Sequence, residues 1–271
     1  MIFVRFVGEF TKKRRRGPGG TELDQPGRDI ENPLLHAPGG RRAMHVSSYS
    51  LWMVAGVVLS CVLWVRAGRR DPRLPVLFLA GLLGAFLGAK IVYLLAEGWR
   101  DWPMPDRWTR WSTGKTILGG LIFGYVGVEL AKKALGYTEA TGDRFAEVVP
   151  VGLFLGRLGC LSHGCCPGQA CPASAWYARV DADGVARWPA VPAELAFHAL
   201  AFAAVLGLRV TQRLRGQRFH AYLIAYGVFR FYSEFHRDTA RVMGPLSGYH
   251  LAAVVLVALG CVRWIQRARM A

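Results

Sequence analysis

The sequence predicts an all-α integral membrane protein with about seven transmembrane helices, and three observations support this class. Of the 271 residues, 52% are hydrophobic. They fall into seven runs of roughly 17–23 residues, the length that crosses a hydrocarbon core of about 30 Å. Few of these runs carry a charge near the middle, and basic residues cluster at alternate ends of the runs.

The runs and their flanks predict a topology. The runs cover residues 49–65, 74–96, 115–135, 145–162, 191–210, 219–235 and 249–265. The loops after the first, third and fifth runs, together with the C-terminal tail, hold 14 Lys and Arg residues against 7 in the alternate loops. The positive-inside rule therefore places the C-terminus in the cytoplasm and the start of the first helix outside. Because membrane flanks account for the net charge of +16, no nucleic-acid partner is expected.

Residues 1–45 are predicted to be a disordered basic N-terminal extension, and residues 46–271 a seven-span membrane domain. The extension is rich in Gly and Pro, has no apolar period, and lacks the apolar stretch of a signal peptide. Its basic cluster, Lys12 to Arg16, would lie on the outer side, against the positive-inside rule. We hypothesise that translation starts at Met44, and recovery of earlier residues by N-terminal sequencing would refute this.

The second run carries glycines at helical spacing. Gly81, Gly84 and Gly88 share one face, which allows another helix backbone to approach closely. Lys90 extends this face and is not explained by helix packing alone. We predict that its ammonium group either reaches the membrane surface or contacts a substrate.

The third run begins with two glycines. At the start of a helix the backbone N–H groups of Gly119 and Gly120 could meet an anion. The preceding Gly-Lys-Thr resembles the end of a P-loop, but Thr109 stands where that loop requires glycine, so nucleotide binding is not expected. Further along this run, Glu129 is a candidate partner for a buried arginine.

Two arginines in apolar runs indicate an anion site. Arg157 lies in a glycine-flanked apolar run, where a cation costs about 2.5–3.5 kcal/mol on insertion scales and cannot lose its charge. Arg230 and Glu234 lie four residues apart in another run and can form an ion pair. Guanidinium groups from two helices predict a bidentate clamp for a lipid phosphate.

Four of the six cysteines fall within twelve residues, near His163. They are Cys160, Cys165, Cys166 and Cys171. Their spacing is not a standard zinc spacing. Three interpretations stay open at this point: disulfides on an oxidising outer side, a thiol-lined pocket without metal, and a metal cluster.

These passages, in this order, resemble the prolipoprotein diacylglyceryl transferase family over roughly residues 49–265. Residues 81–93 resemble its glycine-rich second span, and Gly119-Gly120-Leu121-Ile122 resembles the second half of its His-Gly-Gly-Leu-Ile element. Residues 156–168 resemble its signature, Gly-Arg-x-Gly-Asn-Phe-x-Asn-Gly with a trailing glycine. Residues 192–195 resemble its Pro-Ser/Thr-Gln-Leu element, and residues 230–237 its Arg-Phe-x-x-Glu-Phe-x-Arg.

The resemblance implies a multi-pass enzyme of the bacterial cytoplasmic (inner) membrane, with no cofactor and no metal. Such an enzyme moves the diacylglyceryl group of phosphatidylglycerol to the lipobox cysteine thiol of a prolipoprotein signal peptide, and glycerol phosphate leaves. Arg157 and Arg230 would hold the departing phosphate, with Glu234 orienting Arg230. The residues expected to bind substrate are Tyr49, Lys90, Gly119, Gly120, Cys160, His163 and Gly168.

The chain departs from the family pattern on the side that activates the acceptor thiol. Leu118 replaces the family histidine, Cys160 and His163 replace two signature asparagines, and Cys165 replaces an acid. His163 is a candidate replacement base. Other functions stay open: the same phospholipid site with a different acceptor, a membrane thiol or metal-binding protein using the Cys160–Cys171 cluster, or a catalytically silent lipid-binding protein.

Overall fold

The computed structural model describes residues 48–69, 71–181 and 183–269, and within them the chain is mostly helical. The helices are α1 Ser48–Gly68, α2 Arg73–Ala96, α3 Arg107–Thr113, α4 Ile117–Ala134, α5 Gly142–His163, α6 Ala190–Val210, α7 Arg218–Glu234 and α8 Gly248–Ala268, with a 3-10 helix at Gly98–Asp101. Two antiparallel hairpins lie in the loops: β1 Arg179–Val180 with β2 Ala186–Arg187, and β3 Arg241–Met243 with β4 Leu246–Ser247. The predicted extension, residues 1–45, and its proposed start at Met44 lie outside the described residues.

A helix lies at each of the seven predicted apolar runs. Among the described residues, α2, α5, α6 and α8 are long and apolar enough to cross a membrane. The pair α3 and α4 adds a fifth candidate if it forms one broken span, bent by 57°. The predicted all-α, multi-pass membrane class is thus confirmed at this level.

The outward surfaces of the helices are apolar, as expected in lipid. On α2, for example, Leu83, Phe86, Leu87 and Leu95 are all exposed. A soluble protein rarely leaves so large a contiguous apolar surface uncovered. Most of the buried charged groups lie instead between helices, at the ends of the bundle.

The predicted glycine face of α2 packs against α4. A Cβ added to Gly88 would overlap the carbonyl oxygen of Gly119, and one added to Gly119 would overlap the carbonyl oxygen of Gly88. A Cβ on Gly84 would similarly meet the Phe123 carbonyl. The two backbones therefore approach closely because these positions lack side chains.

The end of α5 folds the chain back towards the helix. Gly164 has φ 68°, a left-handed conformation that glycine adopts without strain, and it forms the C-cap of α5. The Cys165 N–H then donates to the Cys160 carbonyl at 3.2 Å. This reversal brings the residues after α5 back beside its last turn.

Candidate functional site

One buried carboxylate binds three arginines from different parts of the chain. Glu194, in the first turns of α6, is only 1% exposed and forms an ion pair with Arg157 of α5. The same carboxylate lies 3.2 Å from Nη1 of Arg230 in α7 and accepts a hydrogen bond from Nη1 of Arg237 at 3.1 Å. Arg157 therefore has the anionic partner that its position required, although that partner is not Glu129.

A second buried carboxylate fixes Arg230. Arg230 Nη2 donates to Glu234 Oε2 at 2.7 Å, which confirms the predicted pair within α7. Thr239 Oγ1 and Ser247 Oγ donate to the other oxygen, Oε1, at 2.6 and 3.0 Å. Because both carboxylate oxygens of Glu234 have donors, the Arg230 guanidinium is held in one orientation.

Arg157, Glu194, Arg230, Glu234 and Arg237, which we call the arginine cluster, carry three positive and two negative charges. All five residues are buried. An unbalanced charge of +1 in a water-poor site is costly, so the cluster favours an external anion. Within the described residues, Arg157 Nε and Arg230 Nη1 lie close to Glu194 but are not aligned for a hydrogen bond with it. These two buried N–H donors therefore have no hydrogen-bond acceptor among those residues.

The arginine cluster lies beside a large cavity between the helices. The cavity has a volume of about 1210 Å³, and its walls include Arg157, Arg230 and Arg237. Much of the remaining lining is apolar and comes from α1, α2, α4 and α5. A pocket with an apolar body and a cationic end suits a molecule with hydrocarbon chains and an anionic head.

Three thiols adjoin the arginine cluster. Cys160, Cys165 and Cys166, which we call the thiol cluster, have sulfur atoms within 4.8 Å of one another, and all three line the cavity. Arg157 Nη1 donates to Cys160 Sγ at 3.6 Å, and the Cys165 and Cys166 sulfurs lie 3.9 Å apart. Hydrogen bonds with the Cys160 and Cys165 thiols, together with the positive charges of Arg157 and Arg237, lower the pKa of the Cys166 thiol.

The cysteines of the described residues are all in the free thiol form. Of the three interpretations left open by the sequence, disulfide pairing is therefore not formed among the described cysteines. Cys171 does not belong to the group of three described thiols; its backbone N–H donates to the Ala186 carbonyl in the following loop. Of the four cysteines that are close in sequence, three therefore lie together in space and Cys171 lies apart from them.

Lys90 lies at the same end of the bundle but binds backbone. Its Nζ contacts the Trp111 carbonyl oxygen and donates to the carbonyl oxygens of Ser112 and Gly114 at 2.8 Å each. These carbonyls lie at the C-terminal end of α3. An ammonium group has three donors, so Lys90 is occupied as a cap for that helix.

The other predicted substrate-binding residues are distributed around the cavity. Gly120 lines it, whereas Gly119 faces α2 in the glycine contact. His163, at the end of α5, also lines the cavity. Gly168 forms a β-bridge with Arg237 and lies so close to the Trp188 carbonyl that a Cβ would overlap it, which helps to position the Arg237 segment. The side chain of Tyr49 lies outside the described part of the structure.

Two members of the arginine cluster, Glu194 and Arg237, were not among the predicted site residues. The sequence did mark Glu194, because it is an acid near the start of an otherwise apolar run. It also lies within residues 192–195, which resemble a family element. Glu129, considered as a partner for a buried arginine, instead pairs with Arg263 of α8 at the other end of the cavity. Leu118, at the position of the family histidine, is 1% exposed and belongs to the apolar core.

Comparison with known proteins places this chain in a family. Residues 41–266 match the family model described as prolipoprotein diacylglyceryl transferase. A protein of Methylibium petroleiphilum named phosphatidylglycerol–prolipoprotein diacylglyceryl transferase is 29% identical over 220 residues, which cover 77% of this chain and 81% of the relative. A protein of the same name from Bordetella parapertussis is 31% identical over 223 residues, covering 79% and 77% of the two chains. The chain belongs to the prolipoprotein diacylglyceryl transferase family.

Proposed function

We propose that this chain transfers the diacylglyceryl group of phosphatidylglycerol to the lipobox cysteine thiol of a prolipoprotein. The observation that carries the proposal is the arginine cluster, three buried guanidinium groups balanced by only two carboxylates at the polar end of an apolar cavity. The relatives of this chain bear the name of this reaction. The phospholipid headgroup would lie at the arginines and its acyl chains along the apolar walls.

The arginine cluster suits the charge that develops during this reaction. The acceptor sulfur forms a bond with the terminal glyceryl carbon, while the bond from that carbon to the phosphate oxygen breaks. Glycerol phosphate leaves with the bonding electrons, and its phosphate gains negative charge. Arg157 and Arg230 are already held by Glu194 and Glu234, so they can stabilise that charge without rearranging in the transition state.

We also propose that all seven long helices span the membrane, with the N-terminus outside and the C-terminus in the cytoplasm. Alternation of seven spans puts the end of α5, the start of α6 and the end of α7 on the outer side, where their residues form the arginine cluster. The Lys- and Arg-rich ends would then face the cytoplasm. The reaction would take place at the outer leaflet of a bacterial cytoplasmic membrane.

The proposal is tested with purified protein, vesicles that contain phosphatidylglycerol, and a lipobox peptide. Mass spectrometry should detect the diacylglyceryl thioether of the peptide. Arg157→Ala and Arg230→Ala should each lower the rate by about 10²–10³-fold, the usual effect of removing a group that stabilises a developing oxyanion. Arg263→Ala is the matched control, because Arg263 pairs with Glu129 at the other end of the cavity. Wild-type rates in both cluster variants would refute the clamp.

Wild-type protein that binds phosphatidylglycerol but modifies no peptide would favour the silent lipid-binding alternative. A different product formed from phosphatidylglycerol would instead indicate another acceptor. Mass spectrometry of both lipid and peptide products separates these outcomes.

A further inference from the structure

The thiol cluster is the chemical feature that the phosphate clamp does not use. Its three sulfurs lie within 4.8 Å of one another, on the cavity wall, beside the arginine that would hold the leaving phosphate. We propose that Cys160, Cys165 and Cys166 bind one Zn²⁺ ion, and that the fourth position of this ion receives the acceptor thiol. The second half of the proposal rests on the proposed transferase function, whereas the metal site does not.

The sulfur positions fit a common zinc ion. Tetrahedral zinc–thiolate bonds of about 2.3 Å place two sulfurs of one ion about 3.8 Å apart. Cys165 and Cys166 Sγ are already separated by 3.9 Å, and the Cys160 sulfur lies within 4.8 Å of both. A side-chain movement of less than about 1 Å would complete the set. Thiolates are soft ligands, so the site selects a cation such as Zn²⁺ over Mg²⁺ or Ca²⁺.

The charges of the two clusters are complementary. Three thiolates and one Zn²⁺ carry a net charge of −1, which the neighbouring Arg157 guanidinium stabilises. The two clusters touch, since Arg157 Nη1 donates to Cys160 Sγ at 3.6 Å. A hydrogen bond from outside the coordination sphere orients a ligand sulfur and stabilises its anionic form.

Three protein ligands with an accessible fourth position are typical of a catalytic zinc site. The thiols lie on the cavity wall, so the fourth position can face the space that the substrates occupy. His163 lines the same cavity at the end of α5, so its imidazole is a candidate for closing that position. The proposal requires that His163 is not a ligand while the acceptor is bound.

The site would solve a chemical problem of the transfer. A thiol is a weak nucleophile, and coordination to Zn²⁺ removes its proton outright. The proton passes to solvent, and the zinc-bound sulfur attacks the glyceryl carbon while the carbon–oxygen bond to phosphate breaks. Leu118, buried at the position of the family histidine, cannot accept that proton. The thioether product is a weaker ligand than a thiolate, so it can leave the metal.

The metal site is tested first, without any substrate. Reduced full-length protein should bind one equivalent of Zn²⁺, and of Co²⁺ with the absorbance of thiolate-to-metal charge transfer. Cys160→Ser, Cys165→Ser and Cys166→Ser should each lose stoichiometric binding, whereas Cys171→Ser and Cys261→Ser should keep it. Failure of the wild-type protein to bind, or recovery of a disulfide among the three cysteines from native membranes, would overturn the proposal.

The open position is tested with the Co²⁺-loaded protein. A lipobox peptide should change the charge-transfer spectrum, and the same peptide with serine in place of cysteine should not. His163→Ala should retain the metal and the response to peptide. Loss of metal in His163→Ala, or identical spectra with both peptides, would overturn the acceptor half of the proposal.

Activity separates this inference from the proposed function. Removal of zinc by a chelator should lower thioether formation by about 10²–10⁴-fold, the range expected when activation of a nucleophile is lost, and Zn²⁺ should restore it. Full activity in zinc-free protein would refute the inference while the transferase function stands. Absence of thioether in every metal state, with metal and peptide still binding, would refute the transferase function and leave the metal site intact.

Discussion

The two ends of the cavity both carry arginine–glutamate pairs, but they differ in burial and in how the charges are shared. At one end Glu194 binds three arginines, and every member of the arginine cluster is buried. At the other end Arg263 pairs with Glu129 and donates to the Tyr125 hydroxyl at 2.7 Å, with side-chain exposures of 33% for Arg263 and 28% for Glu129.

The comparison shows why the same pair of residue types serves different purposes. Charges at the partly exposed end are screened by water and salt, and so create little demand for a ligand. The excess charge of the buried cluster is not screened. An anion bound there would therefore gain far more electrostatic stabilisation than one bound near Arg263.

The largest expected difference between the two ends concerns their glutamates. Glu194→Ala should destabilise the protein by about 3–5 kcal/mol, because it leaves three guanidinium groups buried around a missing carboxylate. Glu129→Ala should cost no more than about 1 kcal/mol, since its partners can reach water. Unfolding in detergent, followed by circular dichroism, measures both. Equal destabilisation would mean that burial does not distinguish the two ends.

The second largest difference is expected between Arg230 and Arg263, and it depends on the geometry of the guanidinium group rather than on its charge. Lysine keeps the charge of Arg230 but cannot contact Glu194 and Glu234 together as the planar guanidinium does. Arg230→Lys should lower kcat/KM for thioether formation by about 100-fold, because the cation is displaced from the phosphate. Arg263→Lys should leave kcat/KM near the wild-type value. If both substitutions had the same effect, the clamp would depend on charge alone.

The sequence predicted the parts of this site that depend on a residue's immediate neighbours. Arg157 was noticeable because it lies in an apolar run. Arg230 and Glu234 were predicted to pair because a spacing of four residues places two side chains on the same face of a helix. The glycine face of α2 was predicted from spacing alone. Each of these signals is contained within one helix.

The parts that depend on packing between helices were not predictable in the same way. Glu194 meets Arg157 only when α5 and α6 lie side by side, and a single sequence does not give that contact. Lys90 had the pattern of an intramembrane cation, but its partners are carbonyl groups more than twenty residues away. The gathering of three thiols, with Cys171 outside, depends on the chain reversal at Gly164.

Leu118, in the first turn of α4, offers a smaller test within the apolar core. Leu118→His restores the family residue, but the position is buried in the hydrophobic core and not among the residues of the cavity wall. We expect a loss of about 1–3 kcal/mol in stability from an imidazole without partners, and no increase in thioether formation. A gain of activity in this variant would show instead that the chain lacks only the family base.

The smallest effect is expected at Lys90, a cation that already has all its hydrogen-bond acceptors. Lys90→Met keeps the aliphatic stem and removes the three donors that contact the end of α3, so about 1 kcal/mol of stability should be lost. Because this ammonium group binds carbonyl oxygens, the loss of stability should appear as faster proteolysis near the junction of α3 and α4. The KM for phosphatidylglycerol should change less than it does in Arg230→Lys. Lys90→Arg is the charge-preserving control and should recover part of the protection. A rise in KM as large as that of Arg230→Lys would place Lys90 with the arginine cluster as a phosphate ligand, and buried excess charge would then no longer distinguish the binding end of the cavity.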